Sequence, residues 1–282
     1  MKKGLVMEGG AMRGLFTAGV IDVLMENKIT FDGAVGVSAG AAFGCNYKSR
    51  QLGRALRYNV RFCRDKRYCS LRSLIKTGDL FGADFCYRQI PCELDKFDME
   101  AFSEDPMEFY VVATDIETGK PLYWRCTDGG EDDLAYIKAS ASMPLAANIV
   151  EKDGKKLLDG GMSDSVPLKF FESRGYDRNV VILTQPGEYI KGKNKAMPLI
   201  KMKYRKYPNL IETMKNRHVE YNKTTEYINK AESEGKVFVI RPPHSLPVGR
   251  IEKDPEKLKS AYNIGREEAL KKLSALKKFL ED

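Results

Sequence analysis

The sequence predicts an α/β fold built on a mostly parallel central sheet, followed by a basic, mainly helical C-terminal extension. Three observations predict it. Short apolar runs that read as buried strands recur at residues 5–7, 33–37, 109–114 and 180–184. Between the first two lies a stretch with helical apolar spacing. The second runs through a serine into another helix-forming stretch, giving strand, loop, helix, strand, turn, helix, the opening of a parallel sheet. The chain has 282 residues, 43% hydrophobic and 30% charged, enough for one large core with an appended piece.

Each element has its own warrant. Leu5-Val6-Met7 is a short buried strand, and Glu8-Gly9-Gly10-Ala11-Met12-Arg13-Gly14 is a flexible loop. Leu15, Ala18, Gly19, Ile21, Val23 and Leu24 mark a helix to about Glu26. Gly33-Ala34-Val35-Gly36-Val37 is the next strand, and the helix after it begins at Ala39. Arg50, Arg54, Arg57, Arg61 and Arg64 recur every three or four residues, which lines five guanidinium groups along one helical face. Such a stripe invites either carboxylates of the same fold or phosphate headgroups. Residues 77–106 read as an irregular, acidic insertion. The strand at 109–114 pairs with 121–124, residues 136–142 form a helix stopped by Pro144, and Asp153-Gly154 turns a hairpin. Beyond Pro186 the pattern turns helical, around 211–230 and from about 255 to 280, with one strand candidate at 236–240. A boundary at 185/186 then divides a catalytic domain, 1–185, from an extension, 186–282, packed on it.

Charge follows the same division. Residues 1–185 hold 25 Lys+Arg against 26 Asp+Glu, a net of −1, whereas residues 186–282 hold 22 against 13, a net of +9. The basic part is either a solvated helical face or a surface for an anionic partner, lipid or nucleic acid. Little aromatic interleaving accompanies it, so no nucleic acid is expected, and peripheral contact with an anionic membrane is the better reading. No apolar run reaches the roughly 18 residues of a membrane span, and the N-terminus does not resemble a secretory signal. The six cysteines show no Cys-x-x-Cys spacing and read as reduced thiols of a cytoplasmic protein, without a metal or other cofactor.

The chemistry gathers in three short motifs. Gly36-Val37-Ser38-Ala39-Gly40 is a Gly-x-Ser-x-Gly turn, whose small residues let a serine hydroxyl stand clear above the sheet. A serine needs a base. The two histidines, His218 and His244, both lie in the basic part, outside the apparent scaffold. A carboxylate can serve instead. Asp159, at a strand end before Gly160 and Gly161, is the leading candidate, with Asp115 as competitor and a turn-capping role as the plain alternative. Acyl transfer also needs donors for the oxyanion. The backbone amides of Gly9, Gly10, Ala11 and Met12 can converge on one point ahead of a helix, with Arg13 and Gly14 behind them. Neither a dinucleotide nor a nucleoside-triphosphate loop fits: Ala11 takes the middle glycine position, and no Gly-Lys-Ser/Thr is present.

In this order and spacing the three motifs resemble those of the patatin-like phospholipase family, in its bacterial cytoplasmic branch. Glu8–Gly14 resembles the family's oxyanion loop, Gly36–Gly40 its nucleophile elbow, and Asp159-Gly160-Gly161 its dyad motif. Val112-Ala113-Thr114-Asp115 and Ala139-Ser140 resemble further blocks, and the likeness spans about residues 4–185. It implies a three-layer α/β/α fold and a serine acyl-ester hydrolase with Ser38 as nucleophile and Asp159 as base. The implied substrate is a lipid or other acyl ester, and no metal is needed. The alternative is a catalytically weak lipid- or membrane-binding protein that keeps the fold. Ala11 departs from the family's central glycine, and Met162-Ser163-Asp164-Ser165 lacks the asparagine often found there. Acyl length and oligomeric state are not written in the sequence.

Overall fold

The computed structural model describes residues 1–281. The chain opens with β1 (Lys2–Met7), α1 (Gly14–Glu26), β2 (Gly33–Val37) and α2 (Ala39–Lys48). It continues through α3 (Arg54–Phe62), α4 (Leu71–Thr77), a π-helical stretch (Phe85–Leu94) and α5 (Met99–Glu104). Next come β3 (Glu108–Asp115), β4 (Pro121–Cys126), α6 (Glu131–Ser140), β5 (Val150–Lys152) and β6 (Lys155–Asp159). The last elements are α7 (Leu168–Ser173), β7 (Tyr176–Ile182), α8 (Met197–Lys203), α9 (Pro208–Ser233), β8 (Val237–Ile240) and α10 (Pro255–Glu281).

Among the described residues the strands form one sheet, ordered β5-β6-β3-β2-β1-β7-β8, with β4 also paired to β3. The run β3-β2-β1-β7-β8 is parallel throughout, while β4, β6 and the β5–β6 pairing are antiparallel. The sheet is therefore mostly parallel, as expected. Alternation along the strands sorts side chains onto two faces. Leu5 and Met7 pack with Phe16 and Val20 of α1 and Leu276 of α10. Val6, Val35 and Val112 point the other way, onto Leu168 and Phe171 of α7 and Ile228 of α9. Helices thus cover both faces, which makes three layers.

Several boundaries move. The helix expected over 136–142 begins at Glu131, where Glu131, Asp132 and Asp133 fill its first turn and favour the positive helix end. β7 begins at Tyr176 rather than 180, because pairing with β1 carries polar residues into the ladder. The 77–106 insertion is more regular than its composition suggests, with the π-helical stretch and α5 inside it. β8 joins the sheet beside β7 in parallel register, so the ladder continues into the basic part of the chain.

The arginine stripe finds its partners inside the fold. Arg54 is buried and donates to the Asp95 carbonyl and the Asn46 side chain, while Arg57 grips the Asp95 carboxylate with two hydrogen bonds of 2.7 and 2.8 Å. Arg50 pairs with Asp105, and Arg61 donates to the Leu94 carbonyl. The headgroup reading of this stripe therefore gives way to a structural one. Arg54, Arg57 and Arg61 tie α3 to Leu94 and Asp95 ahead of α5, whereas Arg50 and Arg64 lie outside α3, so the five do not share one helical face.

α1 and α10 cross at close range. A Cβ added to Gly19 would lie 2.1 Å from the Tyr262 carbonyl oxygen, and one added to Gly265 would lie 2.1 Å from that of Phe16. Only glycine lets two backbones approach this closely. At the same joint Asp22 accepts hydrogen bonds from the Tyr262 hydroxyl (2.6 Å) and the Gly53 amide (3.0 Å).

Candidate active site

Ser38 stands between β2 and α2 with φ 54° and ψ −119°, a strained conformation for a residue with a side chain. The turn that imposes it is crowded. A Cβ on Gly36 would lie 2.4 Å from the Gly40 carbonyl oxygen, and one on Gly40 would lie 2.4 Å from that of Met7. The two glycines of the motif are thus demanded by backbone contact. Ser38 is held from below as well, since its amide donates to the Ser140 hydroxyl of α6 at 2.8 Å.

The Ser38 hydroxyl donates to Asp159 Oδ2 at 2.8 Å, in a buried hydrogen bond that spans 121 residues of sequence. Asp159 ends β6, and its other oxygen, Oδ1, accepts from the Gly161 amide at 2.8 Å. Asp159 thus caps its own turn with one carboxylate oxygen and faces Ser38 with the other. Its amide donates to the Ser142 carbonyl and its carbonyl accepts from the Thr114 hydroxyl, both at 2.8 Å. Burial raises the Asp159 pKa above the ordinary carboxylate value; Arg217, the Ser38 hydrogen bond and the Gly161 amide oppose this. Asp115, the competitor, accepts from the amides of Glu117 and Thr118 in its own turn. Neither His218 nor His244 is hydrogen-bonded to Ser38 or Asp159.

The loop Glu8–Gly14 passes beside the serine: Gly9 is so close that a Cβ there would lie 3.0 Å from Ser38 Cβ. Ala11 takes φ 49°, and Ala11–Arg13 form a single 3₁₀ turn that leads into α1. Among the described residues no group accepts a hydrogen bond from the amides of Gly9, Gly10, Ala11 or Met12. Glu8 anchors the loop. It is buried, accepts from the Thr184 amide (2.6 Å) and hydroxyl (3.1 Å), and receives the Tyr221 hydroxyl of α9 at 2.7 Å. The loop after Asp159 is secured without an asparagine. Ser163 meets Thr114 at 2.8 Å, Tyr123 donates to Asp164 at 2.8 Å, and Ser165 and Arg217 both donate to the Gly161 carbonyl.

Two hollows meet at Ser38. One, with about 880 Å³ of empty volume, is lined by apolar groups such as Met12, Phe43, Tyr58, Ile90 and Ile137. The other, about 1150 Å³, lies on the Asp159 side and carries Arg13, Lys191, Arg217 and Arg250. Ser38 and Ala11 line both. Among the described residues no cluster of three or more His, Cys, Asp or Glu side chains could hold a metal, and the cysteines are free thiols.

The family model "Patatin-like phospholipase" matches residues 5–171, more than half of the chain. The chain belongs to the patatin-like phospholipase family. A second model, a domain of unknown function (DUF6363), matches residues 207–281, which follow the patatin match. The uncharacterized protein YjjU of Escherichia coli is 30% identical over 93% of this chain and 74% of its own length. The lysophospholipase nte1 of Aspergillus oryzae is 28% identical over 62% of this chain, a match that spans only 11% of that much longer protein. The crystal structure of VipD from Legionella pneumophila aligns with 97% of this chain and 67% of its own at 13% identity and a TM-score of 0.49. The patatin match ends before Thr184, Lys191, Arg217, Tyr221 and Arg250, which reach the site from beyond it. No local motif marks these residues, and sequence reasoning missed them; it placed Glu8 in the loop without seeing that Glu8 anchors it.

Proposed function

We propose that the chain is a serine acyl-ester hydrolase acting on lipids, with Ser38 as nucleophile and Asp159 as general base. The observation that carries this reading is the buried 2.8 Å hydrogen bond from the Ser38 hydroxyl to Asp159, beside four unpartnered amides. In the first step Ser38 Oγ attacks the carbonyl carbon of the ester and its proton passes to Asp159 Oδ2. The amides of Gly9 to Met12 face the charge that develops on the carbonyl oxygen. The alcohol leaves with the proton from Asp159, and a water activated by the same carboxylate then releases the acyl group from Ser38. The apolar hollow suits the acyl chain.

Contact with a membrane belongs to the same reading. Leu71 and Ile75 on α4 and Ile190, Leu199 and Met202 nearer the second hollow are exposed apolar side chains, set among lysines such as Lys76, Lys193 and Lys201. No helix among the described residues is long and apolar enough to cross a membrane, so the contact is peripheral.

Ser38→Ala and Asp159→Asn each lower turnover of a p-nitrophenyl ester by about a thousandfold or more, at unchanged circular dichroism. A fluorophosphonate probe labels the wild-type chain and not Ser38→Ala. Turnover at wild-type level in either variant would overturn the dyad. Binding of anionic vesicles without labelling would favour a lipid-binding protein instead.

A further inference from the structure

We propose that the hollow on the Asp159 side of Ser38 is a subsite for an anionic phosphate headgroup, held by Arg13, Lys191, Arg217 and Arg250. The inference rests on the hydrolase reading and deepens it by naming the substrate class: acyl esters with a net-negative phosphate on the alcohol side. The two hollows share Ser38, so an ester carbonyl held there can send one arm into each. An acyl chain fits the apolar side. The alcohol arm then enters a chamber with four cations.

The charges of that chamber do not cancel from within. None of the four cations forms an ion pair with a carboxylate among the described residues. Two carboxylates line the same space, Glu8 and Asp159. Both are already engaged, Glu8 by Thr184 and Tyr221 and Asp159 by Ser38 and Gly161. Four positive and two negative groups leave a net of +2 around an open volume of about 1150 Å³. The strain is visible at Lys191: burial lowers its pKa to about 8, Arg217, Arg13 and Arg250 push the same way, and only Glu8 opposes. The rings of Tyr221 and Tyr189, 4.0 and 5.6 Å from its ammonium, shelter the charge without neutralising it. Arg13 Nε is buried without a hydrogen-bond partner among the described residues. A phosphate would answer all of these, whereas a zwitterionic headgroup would bring an ammonium into a chamber that is already positive.

Binding to the full chain carrying Ser38→Ala, followed by calorimetry, separates the possibilities without turnover. The probes are octyl phosphate, octylphosphocholine, octanol and inorganic phosphate. Octyl phosphate is expected to bind at least tenfold more tightly than the other three. In the same background Lys191→Gln and Arg250→Gln each weaken octyl phosphate about tenfold. Arg250 is exposed and has no hydrogen bond among the described residues, so its variant keeps the test open if Lys191→Gln does not fold. Octyl phosphate no tighter than octanol or octylphosphocholine would overturn the proposal. So would inorganic phosphate binding as tightly as octyl phosphate, which would make this a site for the free ion. Failure of the hydrolase reading would appear separately, in the labelling of Ser38.

Discussion

At the scale of the residue, Asp159 does two things because a carboxylate has two oxygens. One holds the Ser38 proton and the other fixes the Gly161 amide. An aspartate already committed to its own loop arrives at the serine with little freedom left to lose. Its raised pKa has a kinetic reading. In the proposed mechanism the base must be ionised to accept the Ser38 proton, so kcat/KM is expected to fall as pH drops through a value above the usual carboxylate range. Arg217 is the strongest of the influences that hold that value down. Arg217→Met therefore moves the acid limb to higher pH in a kcat/KM profile with a neutral ester. A limb that stays put or moves to lower pH would show that Arg217 acts on Asp159 only through the loop it bonds. That Ser38, Asp159 and the glycine loop would meet was legible because small residues adjoin each of them. Arg217 and Tyr221 were not, because what they do depends on a tertiary contact that no neighbour in sequence encodes.

At the scale of the element, the α1–α10 joint is the tightest helix contact described. A methyl at Gly19 or Gly265 would press into carbonyl oxygen at 2.1 Å, and overpacking of this kind costs about 1–3 kcal/mol or more. Gly19→Ala and Gly265→Ala are each expected to lower Tm by several degrees, and an unchanged Tm would mean that the helices slide apart freely. Asp22 gives the joint a pH dependence. Burial, against the Tyr262 hydrogen bond and the Gly53 amide, raises it from 3.8 to about 6. The folded state then holds this proton more tightly than the unfolded chain does. The associated stability is fully present below pH 3.8 and is lost as pH rises through about 6, an effect of about 3 kcal/mol at most. Asp22→Asn lacks this dependence, so its Tm relative to wild type improves from pH 4 to pH 7; a constant difference would refute the assignment. The elements themselves were mostly readable, since strands buried on both faces are continuous apolar runs. Their ends were less so. α6 and β7 both start on charged or polar residues, which hydrophobic pattern alone leaves outside.

At the scale of the whole molecule, the patatin match ends at residue 171, but the contacts do not. β8 completes the sheet beside β7, α10 covers α1, and α9 anchors Glu8 through Tyr221. We propose that residues 1–185 and 186–282 fold as one cooperative unit. A fragment of residues 1–185 would expose the edge of β7 and the outer face of α1. It is expected to be insoluble or molten, and to leave Ser38 unlabelled by a fluorophosphonate. A soluble, labelled fragment would instead make the basic part a separable addition.

The position of β1 carries a consequence for synthesis. β1 lies in the interior of the sheet, between β2 and a β7 that is made about 170 residues later, and α1 is covered by α10. At ordinary rates of about 5–20 residues per second, the β7 partner follows β1 by roughly ten seconds or more. During that interval the nascent chain holds an apolar strand with an unpaired side and a helix with a bare face. The site cannot close until α9 is made. A growing chain that meets a membrane surface before α9 is made would therefore carry Ser38 without the finished pocket around it.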